Sequence, residues 1–192
     1  NSRTQFSDWW KREFRTVKFP ARGSVYDVWL DEEKMEMIPW GQSPHFSEIT
    51  YDSKTTQMAS VCVPTAENAA VNFWMKMLVK RKVPVMLVGP AGCGKTQAAK
   101  CLPDAIKRPF FYFNLGSTQD PRATLIGNTH FKNNETMFNE SAFVKAIQTK
   151  NSIILLDELS RAHPEAWNIL MTVLDEGQRY LRLDEDLDAP VI

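Results

Sequence analysis

Residues 89–96 read Gly89-Pro90-Ala91-Gly92-Cys93-Gly94-Lys95-Thr96, an intact G-x-x-x-x-G-K-[ST] motif. This pattern is typical of a phosphate-binding loop, because glycine lets the backbone turn tightly enough for several N–H groups to converge on one anion. The apolar run 84–88 precedes the loop, and its length predicts a buried strand. Residues 97–100 follow and are compatible with a helix whose positive N-terminal end faces the phosphates.

The loop composition predicts a site for ATP or ADP with Mg²⁺. Lys95 supplies an ammonium group for the β- and γ-phosphate oxygens, and the Thr96 hydroxyl is a hard oxygen ligand for Mg²⁺. The residues that we expect to bind the nucleotide are Gly89, Pro90, Ala91, Gly92, Cys93, Gly94, Lys95, Thr96 and Gln97. The alternative is a glycine-rich turn that happens to precede a lysine. The strand and helix patterns on either side of the loop favour the phosphate site over that alternative.

A pair of acids follows the apolar run 153–156. An acid at the carboxyl end of a buried parallel strand faces the crevice where ligands bind in such sheets. We therefore expect Asp157 to hold Mg²⁺ through water, and Glu158 to act as the general base that orients and polarises the attacking water. The alternative is that the two acids only end a strand and cap the next helix.

Three further polar residues are weaker candidates. Arg161 and His163 follow the acid pair, where they would sense nucleotide or a neighbouring subunit, or would simply be solvated loop residues. The Asn114 amide ends an apolar run and would either report on the γ-phosphate or form a turn.

Composition excludes several classes of protein. Lys+Arg and Asp+Glu number 23 each, so the net charge of zero gives no field that favours nucleic acid or an anionic membrane. No apolar run is long enough to span a bilayer, so we expect no membrane segment. The three cysteines form no C-x-x-C pair, which argues against a disulfide framework and indicates a reducing, cytoplasmic location.

Hydrophobic patterning predicts an α/β protein with a parallel sheet and flanking helices. Residues 1–60 hold four of the six tryptophans and show weak helical periodicity, so we expect an extended N-terminal segment packed on a core formed by residues 61–192. Predicted strands cover 24–30, 84–88, 110–113 and 152–156. Predicted helices begin after Thr65, Ser141 and His163, with apolar stripes at 70, 73, 74, 77 and 78 and at 167, 170, 171 and 174.

With the phosphate loop and the run Leu155-Leu156-Asp157-Glu158 in hand, the chain resembles an AAA+ ATPase of the dynein-related group. Residues 1–96, with the tryptophan-rich stretch 6–46 and Ile38-Pro39-Trp40, resemble the third AAA module of axonemal dynein heavy chains. Residues 110–192 look closer to MoxR-type and other dynein-related AAA ATPases.

This resemblance implies a P-loop NTPase (AAA+) large-subdomain core that binds Mg·ATP and hydrolyses it in a mechanochemical ring. The dynein form implies partners in neighbouring AAA+ modules or subunits, microtubules and other dynein chains, with a place in the cytoskeleton of the ciliary axoneme. The alternatives are a MoxR-type chaperone that remodels proteins and a non-hydrolysing structural module.

In AAA+ cores a strand with a sensor asparagine lies between the strands that precede the loop and the acid pair. Residues 190–192 would begin that strand, so we expect the core to be incomplete before sensor, arginine finger and lid, and to hydrolyse ATP weakly on its own.

Overall fold

A computed structural model of the chain describes residues 2–47, 52, 54, 61, 63–132, 135–177, 179–183 and 191, with the backbone alone at 103–105 and 132. The chain divides into two compact units, residues 1–102 and 103–192. The predicted boundary at 60/61 falls among residues outside the described part, so it stays a prediction. No helix of the described residues has the length and apolar character needed to cross a bilayer.

The first unit begins with a helix and a hairpin. Its elements are α1 (Ser2–Glu13), β1 (Val28–Asp31), β2 (Glu36–Pro39), a 3₁₀ turn (Trp40–Gln42), α2 (Ala66–Lys80) and the start of α3 (Lys95–Ile106). Strands β1 and β2 pair antiparallel, with Val28 opposite Pro39 and Asp31 opposite Glu36. The extended structure predicted for the N-terminal segment is thus present in the hairpin, but not over residues 2–13.

Helix α1 is held by aromatic rings that recur at helical spacing. Phe6 lies 5.6 Å from Trp9 and 5.7 Å from Trp10, and Trp10 lies 4.6 Å from Phe14, between ring centroids. The buried Ser7 hydroxyl accepts a hydrogen bond from the amide of Val25 at 3.1 Å, which ties the helix to the loop before β1. These aromatic residues recur at intervals of three or four, as expected for one face of a helix. The charged residues between them make this periodicity hard to recognise in the sequence.

Helix α2 begins where the sequence predicts. The Thr65 hydroxyl accepts from the amide of Asn68 at 3.1 Å, the bond of an N-cap. The predicted apolar stripe is only partly correct, because Ala69 and Met75 are buried whereas Trp74 is 55% exposed. Phe73 does pack inward, 5.4 Å from the buried ring of Trp40.

The prediction of a buried strand at 84–88 is wrong. These residues lie outside every strand of the described chain, and Val88 is 85% exposed. A central strand of a parallel sheet becomes buried only when neighbouring strands pair with it. No strand among the described residues pairs with 84–88. Of the strand expected to begin at residue 190, only Val191 is among the described residues. It forms an isolated antiparallel bridge with Arg182.

The second unit holds a parallel strand pair and a hairpin. Its elements are β3 (Phe110–Asn114), α4 (Pro121–Leu125), β4 (Gly127–Lys132), β5 (Glu135–Glu140), α5 (Ala142–Gln148), β6 (Ile153–Asp157), a 3₁₀ turn (Leu159–Arg161) and α6 (Pro164–Leu174). Strands β3 and β6 pair in parallel, from Phe110 opposite Ile153 to Asn114 opposite Asp157. This pairing confirms the predicted α/β class, whereas the antiparallel β4–β5 hairpin was not predicted.

The core of this unit lies under the helices. Its buried members are Leu115, Leu125, Ile126, Phe143, Val144, Ala166, Leu170, Leu181 and Leu183. The Ser141 hydroxyl caps α5 by accepting from the amides of Phe143 and Val144, as predicted. The predicted face of α6 is wrong by one position, because Ala166 and Leu170 are buried whereas Met171 is 67% exposed.

Gly127 generates a prediction about the hairpin. Its φ is +143°, and an added Cβ would collide with the carbonyl oxygen of Asn139 and lie 2.8 Å from the Phe138 ring. We therefore expect Gly127→Ala to destabilise the hairpin by about 2–4 kcal/mol, through strain and overpacking together. Hydrogen exchange of amides 127–140, followed by mass spectrometry in the intact protein, measures this loss. Gly177→Ala is the matched control, since its nearest atom is 3.7 Å away; equal protection in both variants would contradict the prediction.

His45 generates a prediction about pH. Its ring lies 4.6 Å from Phe73 and 5.1 Å from Trp29, and partial burial, aided by the charge of Lys76, lowers the pKa of His45 below its ordinary 6.5. Because the folded state favours the neutral ring, stability is full above the unfolded pKa and falls as pH drops through it toward the folded value. The urea midpoint should be lower at about pH 5 than at about pH 7.5, and His45→Phe should reduce this difference. The same difference in the variant as in the parent protein would refute the assignment.

Candidate functional site

The phosphate loop of the first unit has the backbone that its glycines permit. Gly92 and Gly94 have φ of +79° and +84°, a region that residues with a Cβ adopt at a cost. A Cβ added at either glycine would meet no atom within 4 Å, so the space beside the loop is open. Helix α3 starts at Lys95, immediately after the loop, and the amide of Ala98 donates to the carbonyl of Gly94 at 2.9 Å. The loop therefore leads into a helix N-terminus, the arrangement that binds anions.

The Lys95 side chain forms hydrogen bonds back to the start of the loop. Its ammonium donates to the carbonyl oxygens of Gly89 and Pro90, both at 2.8 Å, and lies 3.6 Å from the Cys93 sulfur. These bonds hold a positive charge at the loop. Residues 89–97 thus form one continuous loop and helix start, and their binding of a nucleotide stays a prediction.

A pocket adjoins the loop within the same unit. Its volume is about 290 Å³, and it is lined by Val61, Val63, Thr65, Asn68, Gly92, Cys93, Gly94, Gln97 and Ala98. The Asn68 side chain donates to the carbonyl of Val63 at 2.8 Å, which fixes the segment before α2 as one wall. Sequence reasoning assigned Thr65 to a helix cap and gave Val61, Val63 and Asn68 no part in a site. Only the fold shows that this segment returns to the loop.

The acid pair lies in the second unit, at the carboxyl ends of the paired strands. The amide of Leu115 donates to the carbonyl of Asp157 at 3.0 Å, which extends the strand ladder past Asn114. The Asn114 side chain accepts from the amide of Gly116 at 3.0 Å, so this residue forms a turn, the second of its two predicted roles.

Both carboxylate oxygens of Asp157 accept hydrogen bonds within this unit. The amide of Glu158 donates to Oδ1 at 3.0 Å, and the hydroxyl of Tyr112 donates to Oδ2 at 3.1 Å. Burial, and secondly the bond to Asp157, raise the pKa of Tyr112 above its ordinary value of 10.0. The hydroxyl therefore stays protonated and able to donate at neutral pH. Sequence reasoning missed Tyr112, because nothing in its local pattern marks a partner that lies far along the chain.

Glu158 sits in a left-handed backbone conformation, with φ of 57° and ψ of 34°. Its carboxylate lies 3.7 Å from the Arg161 guanidinium, and both side chains are well exposed, so this ion pair contributes little stability. His163 Nδ1 accepts from the amide of Glu165 at 3.2 Å and caps α6. The sensing roles considered for Arg161 and His163 stay predictions.

The phosphate loop lies in the first unit of the structure and the acid pair in the second. Their action on one nucleotide therefore stays a prediction. Each half has the local chemistry that this prediction requires: an anion-binding loop with a cation, and an oriented carboxylate followed by an exposed one.

Comparison with known proteins gives a consistent set of relatives. The profile of the family described as "AAA domain (dynein-related subfamily)" matches residues 84–190. The chain is 42% identical over 94 residues (49% of its length) to "Dynein beta chain, ciliary" of Tripneustes gratilla. It is 39% identical over 98 residues (51%) to "Dynein alpha chain, flagellar outer arm" of Chlamydomonas reinhardtii. It is 34% identical over 149 residues (77%) to "Dynein axonemal heavy chain 9" of Homo sapiens. These matches span 2–3% of the relatives' own length.

Close packing of Gly116 against the acid pair generates a prediction. An added Cβ would lie 2.8 Å from the Glu158 Cβ and 3.3 Å from the Arg161 Cβ. Gly116→Ala should therefore displace the 3₁₀ turn and cost about 1–3 kcal/mol by overpacking. Faster hydrogen exchange of amides 157–162 measures this effect, with Gly177→Ala again as the control. Exchange that is identical to the parent protein would show that the turn yields freely.

Proposed function

Because the chain belongs to the dynein-related subfamily of AAA domains, we propose that residues 89–97 bind the phosphates of ATP and that Asp157 and Glu158 serve its hydrolysis. AAA domains are ATPase domains that use Mg²⁺. The observation that carries the proposal is the phosphate loop, whose left-handed glycines, flanking helix N-terminus and lysine ammonium are the elements of a triphosphate site.

The pocket beside the loop suits a nucleoside. Its volume of about 290 Å³ lies at the lower end of the range for small-molecule sites. Val61, Val63 and Ala98 offer apolar surface for a base, while Thr65, Asn68 and Gln97 offer polar groups near it. Since the same pocket includes Gly92 and Gly94, one ligand can present its base to the pocket and its phosphates to the loop.

The residues proposed for Mg²⁺ fit its chemistry. Thr96 supplies a hydroxyl oxygen and Asp157 a carboxylate, and Mg²⁺ prefers hard oxygen ligands and keeps several of its waters. When bound, the ion neutralises charge on the β- and γ-phosphate oxygens. Both carboxylate oxygens of Asp157 accept a hydrogen bond, and a carboxylate oxygen can accept more than one, so this group is suited to accept from metal-bound water.

Glu158 is suited to act as the general base. Its carboxylate is 45% exposed and lies 3.7 Å from the exposed guanidinium of Arg161. In the proposed step the carboxylate accepts a proton from a water as the water oxygen attacks the γ-phosphorus. The bond from that phosphorus to the bridging oxygen breaks, ADP leaves, and inorganic phosphate forms. The Lys95 ammonium and the loop amides stabilise the charge that develops on the phosphate oxygens.

We propose that the module works in the mechanochemical ring of a dynein heavy chain, and through it in movement along microtubules. The names of the relatives place them in cilia, in the flagellar outer arm and in the axoneme, so the cytoskeleton of the axoneme is the proposed location. Neighbouring AAA modules and other dynein chains are the proposed partners. The relatives favour a motor module over the MoxR-type chaperone considered from the sequence.

Glu158→Gln tests the hydrolytic role. We expect it to keep the affinity for ATP and to lower turnover at this site by about 10²–10⁴-fold, because binding needs no base whereas proton removal does. Turnover and nucleotide binding are measured in the intact protein. Lys95→Ala, which should abolish binding at the loop, defines the contribution of any other site.

Glu135→Gln is the matched control, because it removes an exposed carboxylate from strand β5, which belongs to a different sheet from the strand that ends in Asp157. It should match the parent protein in both measurements. If Glu158→Gln also leaves turnover unchanged while Lys95→Ala abolishes binding, the module binds nucleotide without hydrolysing it. If Lys95→Ala leaves binding unchanged, the loop is not a nucleotide site.

A further inference from the structure

Tyr112 lies in a strand of phenylalanines, at the position where a hydroxyl reaches a carboxylate. Strand β3 reads Phe110-Phe111-Tyr112-Phe113-Asn114. In the parallel register Tyr112 is opposite Leu155, two residues before Asp157 on the same face of the sheet. A diagonal neighbour at this offset is within reach of an aromatic side chain. The reach is realised here, with the phenol oxygen 3.1 Å from Asp157 Oδ2.

The two bonds to Asp157 act from different directions. Oδ1 is held by the amide of Glu158, the next residue in the chain, and Oδ2 by Tyr112, which is 45 residues away in sequence. A carboxylate held at one oxygen can still rotate about that contact, whereas one held at both has a fixed plane. A carboxylate oxygen can accept more than one hydrogen bond, so these bonds orient the group and leave it able to accept from metal-bound water.

From this geometry we infer that Tyr112 is a positioning residue, which orients the Asp157 carboxylate for Mg²⁺ by a hydrogen bond from its hydroxyl. The inference rests on the proposed function, in which Asp157 serves the metal. Groups that orient a metal-binding carboxylate tune affinity for the ion without touching it. A phenylalanine at this position would fill the same space beside Leu155 and would leave Oδ2 without that donor.

Tyr112→Phe tests the inference by its effect on the metal-dependent part of nucleotide affinity. ADP binding to the intact protein is measured by calorimetry in Mg²⁺ and in EDTA, and the binding lost in Lys95→Ala is assigned to this loop. We expect Tyr112→Phe to weaken binding in Mg²⁺ about fivefold, below the 10–100-fold range of buried orienting groups because Tyr112 is 39% exposed. Binding in EDTA should not change.

Two further variants separate orientation from general structural support. Because Tyr112 acts through Asp157, Tyr112→Phe should add nothing to the metal dependence in an Asp157→Asn background. Tyr26→Phe removes an exposed phenol hydroxyl of the first unit and should have no effect in either buffer. The Tyr112→Phe protein should fold, since its neighbours in β3 are already phenylalanines.

Each other outcome overturns a defined statement. If the parent protein shows no ADP binding that Lys95→Ala removes, the proposed function fails and the inference with it. If such binding is present and Tyr112→Phe leaves its Mg²⁺ dependence unchanged, the inference alone fails. It also fails if the variant weakens binding equally in Mg²⁺ and EDTA, or if its effect persists in the Asp157→Asn background, because Tyr112 would then act as general support.

Discussion

The parallel register of β3 and β6 is the constraint on which the second unit depends. With Asn114 opposite Asp157, both strands end at the same level, and the amide of Leu115 can still donate to the carbonyl of Asp157. A shift of one residue would turn every side chain of β6 to the other face of the pair. Asp157 would then lose Tyr112 as a neighbour. The apolar residues behind the strands resist such a shift, since Phe113 and Leu156 pack on the buried core.

Much of this arrangement follows from local chemistry and could be predicted from the sequence. A phosphate loop is specified by glycines within a single turn, and Gly92 and Gly94 indeed adopt the backbone that only glycine adopts freely. Helix starts at Thr65 and Ser141 were predicted correctly, because an N-cap bonds to amides two or three residues later. The strand before Asp157 was predicted from a run of β-branched and aliphatic residues.

Predictions failed where the answer depends on residues far along the chain. The apolar run 84–88 has the composition of a buried strand, but composition does not supply the neighbours that bury one. On α6 two apolar stripes overlap, and tertiary packing buries the one with Ala166 and Leu170 rather than the one with Met171. The bond from Tyr112 to Asp157 is of the same kind. It arises from a register between strands that the sequence does not state.

Glu158 shows how local strain and a long-range register meet at one residue. A residue with a Cβ in the left-handed region costs about 1 kcal/mol or more relative to glycine, and Glu158 also lies against the backbone of Gly116 with no room for a Cβ between them. Glycine at 158 would satisfy this backbone at lower cost. Its ion pair with Arg161 is too exposed to offset the difference. Packing and backbone geometry therefore do not explain an acid here, whereas the role proposed for its carboxylate as a general base would. The same turn that strains Glu158 directs its amide onto Asp157 Oδ1. One backbone conformation thus presents the proposed base and fixes one oxygen of the proposed metal ligand.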